Sequence, residues 1–514
     1  MSKTAATRAQ RLTDRILVAI SSVPLAHVAI ISALLFALFA MVALLVPLGS
    51  GPDESAHYLY SAAVARGQSG TLDVEVPAAI ANIRQLTCLA YQPDLTAACQ
   101  HLYSGAAAVV GEQSHVGLYN PVFYIWTGLG SLISPNEAGL YFARLLAAVV
   151  TAVLTGWGLS YLLRTSRNSW PLVGTLLVFT PMVTYVSAVL NPSSWEIAST
   201  LGFTVAAYAV IVRQPVATRW NEAHSLLVVA GSVLLISRGL SPFIAVLIVV
   251  ALAILAGLSR IRGLLVQRAT WIWVCVLAVV GIAAIAWILL HGTNYIGVDP
   301  PASLGEGIHD IPVYYEGVWS QVQQVFGLIG WLELMPPNAL VLAWVALLIG
   351  VVAISYSFSA VRQQIVIGLG ALTVLLLPGI LAGIQWGGVG WQGRYTIPFI
   401  LATVVIAGLA ASEDAADADA FHRTPRVART RAQLLVAATV VFGGSQIAML
   451  LITAHRYVVG GSAPLLAAPL WQPPFNFRLL IGVFVVVVIL LGWILARTVS
   501  ARVAATASRS AAVS

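Results

Sequence analysis

The sequence predicts an all-α polytopic membrane protein of about 12 transmembrane helices, with a long first outer loop that contains short interfacial helices. Three observations predict it. Of 514 residues, 59% are hydrophobic and only 9% charged, against roughly 25% charged in a soluble chain. Apolar runs of about 20 residues recur from end to end, each long enough to cross ~30 Å of hydrocarbon. The basic residues gather in alternate connections between those runs, which is the pattern that sets membrane topology. The net charge of +7 therefore does not point to a nucleic-acid partner. In lipid each backbone group must be satisfied within its own segment, so the spans are helices. A barrel would show alternating segments of about 10 residues.

The chain opens on a basic stretch, 1–24, with Lys3, Arg8, Arg11 and Arg15. No small-residue cleavage site follows the next apolar run, so 25–48 reads as an uncleaved first span rather than a signal peptide. Further spans are expected at 139–162, 171–190, 196–213, 224–238, 241–258, 270–290, 339–357, 364–384, 396–411, 433–454 and 478–496. The fifth is short and ends at Arg238-Gly239, as a broken or tilted helix would. With the N-terminus in the cytoplasm, the inner loops hold Arg164, Arg167, Arg213, Arg219, Arg260, Arg262, Arg268, Arg362 and the cluster from Arg423 to Arg431. The tail adds Arg497, Arg502 and Arg509. Most of the 26 Lys and Arg residues then lie inside, as the positive-inside rule requires.

One segment tests this layout. YNPVFYIWTGLGSLIS, 119–134, is apolar but short, and counting it as a span would put Arg164 and Arg167 outside. It reads as an interfacial or re-entrant helix, with Trp and Tyr at headgroup depth. Two large outer loops result, 49–138 and 291–338. The organisation is a cytoplasmic N-terminus (1–24), a transmembrane core (25–411), a cytoplasmic linker (412–432) that includes the acidic patch 413–419, a helical hairpin (433–496) and a cytoplasmic tail (497–514). No internal repeat appears at a period of 20–50 residues.

Polar residues at the outer ends of spans are the candidates for chemistry. GPDESAHYLYSAAVARG places Asp53, Glu54 and His57 directly beyond the first span. Asp53 and His57 share a face if the stretch is helical, and Pro52 suits a first turn. The two acids fit the positive end of a helix dipole. Arg394, in WQGRY, opens a span far in sequence from any carboxylate. It could grip a phosphate with two parallel hydrogen bonds or snorkel to headgroups. Arg238, in ISRGLSPF, has the same two readings, and Arg144 is a weaker case. Glu333 and Glu196 are lone outer carboxylates that could bind a cation or sugar hydroxyls, or be solvated. Cys88 and Cys99, both in the first outer loop, could pair in an oxidising compartment or stay as thiols. Cys275 lies inside an apolar run, as a small core residue would. No zinc spacing, Walker loop, nucleophile elbow or dinucleotide fingerprint stands out.

PDESAHYLYSAAVARG, YNPVFYIW, NPSSWE, GLIGWLELMPP and WQGRYTIPF occur in that order. Over roughly residues 25–410 the set resembles a bacterial family of predicted membrane proteins known mainly as a domain of unknown function. That family is similar to the GT-C superfamily of polytopic glycosyltransferases. The resemblance implies a GT-C-like fold in the bacterial inner membrane. It also implies a sugar taken from a polyprenyl-phosphate donor on the extracytoplasmic side. An acidic residue just after the first span acts there as base or metal ligand, and Asp53 matches it, with Glu54 beside it. The family pattern often has aspartate where this chain has Ser193 and Glu333. The serine removes a carboxylate.

On this expectation Arg394 and Arg238 hold the donor phosphate and Asp53 deprotonates the acceptor hydroxyl. His57 orients Asp53 or bonds the sugar. Glu54 holds a divalent cation such as magnesium or manganese together with water, or the site works with arginines alone. Tyr58, Trp391, Gln392, Tyr395 and Glu333 contact the substrate. The acceptor is a glycan, lipid or protein of the cell envelope. The single lysine among 25 arginines fits a high-GC bacterium. Two other classes stay open: a transporter or flippase for a lipid-linked glycan, and a non-catalytic envelope-assembly scaffold in which Asp53 and Glu54 are a helix cap. The first would show related halves and mid-span ionisable groups, and neither is apparent.

Overall fold

The structure, a computed structural model, describes residues 17–215, 219–292, 303–386, 391–411, 425–464 and 467–513. The basic residues Lys3 to Arg15 and the acidic patch 413–419 lie outside the described residues. α1 (Pro24–Leu45) begins with proline in its first turn and stops before Pro47, which cannot continue a helix. The first outer loop follows. It folds as a small module with its own apolar core around Tyr58, Tyr60, Ile83, Leu86, Phe123 and Tyr124. Its parts are α2 (Glu54–Val64), an antiparallel pair of β1 (Asp73–Pro77) and β2 (Val109–Gln113), and α3 (Val122–Ile133). At 12 residues α3 is too short to cross the bilayer. It packs on α2 and on the next span, α4 (Gly139–Thr165). A disulfide joins Cys88 and Cys99 in the same module.

Every expected span is helical. Among the described residues nine helices are long and apolar enough to cross a membrane, or up to 11 if two bent pairs each count as one. The first pair is α5 (Trp170–Val178) and α6 (Pro181–Ala188), bent by 61°. Pro181 has no N–H to give the preceding turn. The carbonyl it leaves free, that of Leu177, is taken by the Trp344 indole N–H; at the break itself Gln446 donates to the carbonyl of Phe179 and Thr180 to that of Val325. α7 (Ser193–Ala207) then continues through a π segment, Tyr208–Arg213. α8 (Glu222–Ser237) has 16 residues, about 24 Å at 1.5 Å per residue, and is left out of that count by its length, although it runs from the Glu222–Arg164 pair at one rim to Arg238 at the other. α9 (Ser241–Ala256) turns by 111° into α10 (Leu258–Leu265) at Gly257, whose φ of +78° favours glycine.

The remaining elements are α11 (Arg268–His291), α12 (Leu304–Glu316), α13 (Val318–Phe326), α14 (Asn338–Ser357), α15 (Val361–Trp386), α16 (Ile397–Ala410), α17 (Pro425–Val458) and α18 (Phe477–Val513). α12 and α13 are the helices of the second outer loop; α12 packs along α15, and α13 against the start of α16. Cys275, expected in the core, is exposed on α11. One main core runs through the bundle.

The charge bias seen in sequence becomes one rim of the bundle. Arg502 donates to the carbonyls of Ser21 and Arg164, Arg213 to that of Thr165, and Arg260 to that of Ile211. Arg362 lies against Gly257. The candidate site is built from the opposite ends of the same helices.

Candidate functional site

The turn after α1 is set by a buried ion pair. Arg144, from α4, and Glu54, from α2, both have fully buried side chains. The guanidinium donates to Glu54 Oε1 at 2.7 Å and Oε2 at 2.6 Å. Its other N–H groups reach the carbonyls of Ala43, Val46 and Pro47 at 2.7–2.9 Å. All five donors of an arginine are thereby used. Glu54 also accepts from the backbone N–H of Leu190 at 2.8 Å. The pair ties the end of α1, the turn and the end of α6 into one unit. The weakest of the three arginine candidates is thus the one most completely enclosed.

Asp53 goes the other way. Its backbone sits in the left-handed region, at φ +63°, a conformation aspartate tolerates better than most residues. Its side chain does not cap α2. Instead Oδ2 accepts from Arg394 Nη2 at 2.8 Å, and Oδ1 lies 3.4 Å from His115 Nε2. Burial alone would raise the Asp53 pKa. The bond from His115 and the Arg394 charge outweigh it and hold the carboxyl below the usual carboxylate range. About a third of its side chain stays exposed.

Arg394 is placed by the loop before α16. Gly393 passes so close to α13 that a Cβ there would meet the carbonyl of Gln321 at 2.5 Å. Its N–H is held by Gln324 at 2.8 Å. Arg394 is itself buried, and its Nε has no hydrogen-bond partner. Arg238 arrives from the α8–α9 link. It donates to Ser193 at 3.1 Å, lies 3.6 Å from Glu196, and stacks 4.2 Å above the Tyr395 ring. Tyr395 touches both arginines, with Arg394 Nη2 3.3 Å from its hydroxyl. Ser193 is therefore a ligand of Arg238, and Glu196 supplies the counter-charge.

Asp53, Arg394, Arg238 and Tyr395 are thus brought together, and His115 joins them. Sequence reasoning missed His115: a lone histidine in EQSHVGLYNP carries no spacing signal. Other expected contacts point elsewhere. Glu54, proposed as base or cation ligand, is occupied by Arg144. Among the described residues no three His, Cys, Asp or Glu side chains converge as a metal-ligand set. Tyr58 is fully buried, and its hydroxyl bonds the carbonyl of Asn136 rather than facing the cluster. Glu333 pairs with Arg456 at 3.2 Å, and Arg456 also clamps the carbonyls of Leu89 and Gln92 beside the disulfide. Trp391 is buried, its indole N–H on Thr396, and its ring meets Tyr395 edge-on. Gln392 keeps a buried Oε1 without a partner.

His57 does not orient Asp53. Its Nδ1 is hydrogen-bonded to the Tyr124 hydroxyl at 2.9 Å. Burial pushes its imidazole down to about 3, against the pull of the Asp53 carboxylate. An unfolded histidine titrates near 6.5. Between those values the unfolded chain binds a proton that the folded chain does not, so stability rises with pH there. It is complete above about pH 6.5 and is lost as pH falls, by up to about 1.4 kcal/mol per pH unit. His57→Gln flattens that acid-side slope. Melting midpoints of both proteins measured across pH 4–7 check it: parallel slopes would refute the assignment.

An apolar groove of about 230 Å³ lies between α9, α15 and α16, with neither arginine among its lining residues. Ile244, Ile248, Ile254, Leu369, Phe399 and Ile406 are among its lining residues. α9 starts three residues after Arg238, and α16 three residues after Arg394. The two guanidinium groups therefore stand at the head of the helices that wall the groove.

Residues 35–403 match a family described as "Predicted membrane protein (DUF2142)". No curated protein and no solved structure matches the chain.

Proposed function

The chain belongs to this family of predicted membrane proteins, and from that premise we propose that it is a membrane glycosyltransferase that takes a sugar from a polyprenyl-phosphate donor. The observation that carries the reading is a buried arginine, Arg394, and a partly buried one, Arg238, at the head of two helices that wall an apolar groove, with the partly exposed Asp53 carboxylate bonded to Arg394. A lipid phosphate is the ligand whose two halves those surfaces match. Guanidinium groups bind phosphate bidentately, and the groove takes apolar chain. Arg394 has an unpartnered buried Nε to offer. Charge that develops on the leaving phosphate is met by fixed cations in a dry setting, where such stabilisation is largest. Tyr395, already under Arg238, keeps that cation in place.

Asp53 stands on the acceptor side, where the attacking hydroxyl must lose its proton. Its bond to Arg394 is the resting state on this reading. Donor phosphate competes for the same guanidinium and releases the carboxylate toward the acceptor. No step needs a divalent cation. The arginine rim is the cytoplasmic face by the positive-inside rule, which puts the site on the extracytoplasmic side of a bacterial inner membrane. A disulfide between Cys88 and Cys99 fits an oxidising compartment there. The acceptor belongs to cell-envelope glycan assembly, and the architecture is GT-C-like on this view.

Purified protein in nanodiscs, given a panel of polyprenyl-phosphate sugars and envelope-extract acceptors, is expected to release carrier phosphate. Arg394→Ala loses both donor binding and release. Wild-type donor affinity in that variant would sink the reading. The groove has its own test. Ala251→Trp, at the groove wall, is expected to raise KM for long-chain donors about tenfold, which is about 1.4 kcal/mol. Water-soluble short-chain donors should be unaffected. Equal effects on both chain lengths would separate the groove from the donor.

A further inference from the structure

Two histidines stand near Asp53, and they differ in their access to water. His57 is buried on Tyr124 and stays neutral. His115 has a side chain 55% exposed, with Nε2 3.4 Å from Asp53 Oδ1. It is held on the link between β2 and α3. Ser114, just before it, donates its N–H to the carbonyl of Leu72 and its hydroxyl to the carbonyl of Ala56 in α2. Gly117, just after it, turns back onto the carbonyl of Ser114. The imidazole is thus fixed to the same helix whose start bears Asp53. Its Nδ1 has no hydrogen-bond partner among the described residues.

Asp53 itself is a poor proton acceptor. A carboxylate bonded by an arginine and an imidazole is stabilised as an anion, and basicity falls with it. Imidazole is the side chain that ordinarily exchanges protons near neutrality.

We propose that His115 is the proton acceptor of the transfer and that Asp53 is the positioning residue that orients its ring. The inference rests on the glycosyltransferase reading and refines it. Nε2–H is donated to Asp53 Oδ1, which leaves the lone pair on Nδ1. The acceptor O–H bond breaks and its proton goes to Nδ1. The acceptor oxygen bonds the anomeric carbon. The bond from that carbon to the phosphate oxygen breaks, and its electron pair leaves on the polyprenyl phosphate beside Arg394 and Arg238. The titratable groups that face the imidazole are Asp53 and His57, with Arg394 behind Asp53.

Two measurements test it. The first needs no substrate: the ring nitrogens of His115 are read by nitrogen-15 NMR at one fixed pH, in wild type and Asp53→Asn. With Nε2 3.4 Å from Asp53 Oδ1, the Nε2 signal is expected to shift in the variant. An unmoved signal overturns the pairing. The second is turnover. His115→Ala is expected to lose about 10²- to 10⁴-fold, to bind donor as wild type does, and to regain activity with added imidazole. Undiminished turnover in His115→Ala, or a loss that imidazole leaves untouched, overturns the role. If wild type releases no carrier from any donor, the glycosyltransferase reading falls and the catalytic role with it. The Nε2 signal still reports separately on the pair.

Discussion

Asp53→Asn lowers turnover by about 10²- to 10⁴-fold, the usual range for a positioned proton-transfer group, while donor affinity holds or rises. The split follows from the geometry. Among the described residues Asp53 is the carboxylate bonded to Arg394, at 2.8 Å, and on the proposed function it occupies in the free protein the guanidinium that the donor phosphate needs. An amide at that position keeps the shape and removes the charge, so Arg394 is freed for the donor while the proton loses its route. Carrier release and donor binding, measured side by side on wild type and variant, check both halves. A variant that turns over normally would take Asp53 out of the chemistry and leave it a structural partner of Arg394. A variant that fails equally in binding and turnover would place Asp53 in donor recognition instead. Arg394→Ala gives the opposite signature, with binding lost first. The double variant falls no further than Arg394→Ala in binding, because the two residues act through one contact.

Removing the charge at the next residue acts through folding. Glu54→Ala is expected to destabilise the protein by about 3–5 kcal/mol, the cost of leaving one partner of a buried pair uncompensated. Arg144 is enclosed, with every N–H bonded inside the protein, so water cannot replace the lost carboxylate. The three carbonyls at the end of α1 lose their fixed donor with it, and the turn that presents Asp53 loosens. Thermal midpoint and monodisperse yield in detergent are the readouts. Replacing both partners, Glu54→Leu with Arg144→Met, is expected to recover much of the loss, because an apolar pair has no charge to desolvate. If Glu54→Ala folds as wild type does and loses only turnover, Glu54 belongs to the chemistry after all.

These neighbouring acids show where a sequence reading stops. Asp53 and Glu54 look like one acidic pair, and a shared role is the natural inference. The left-handed backbone at Asp53 sends them to different partners. One finds an arginine 341 residues away and the other an arginine 90 residues away. The motif WQGRY could be singled out, but its arginine's partner could not. Glycine in that motif is explained only by the close passage of α13. Tyr58 sat within the most informative stretch and turned out to face the loop's own core. His115 carried no pattern of its own, and only the fold of the outer module sets it beside Asp53.

What the sequence determined by itself was what one segment decides alone. Backbone groups in lipid must bond within their own helix, so apolar length sets where spans lie. Arginine placement groups the connections onto two faces, and the 16 residues between Tyr119 and Ser134 were already too few to cross. Tertiary structure decided the rest: which spans break, which acid meets which arginine, and which histidine meets water. Side-chain ion pairs and buried hydrogen bonds depend on distances between segments far apart in the chain, and on backbone turns at single residues. Composition and periodicity carry neither.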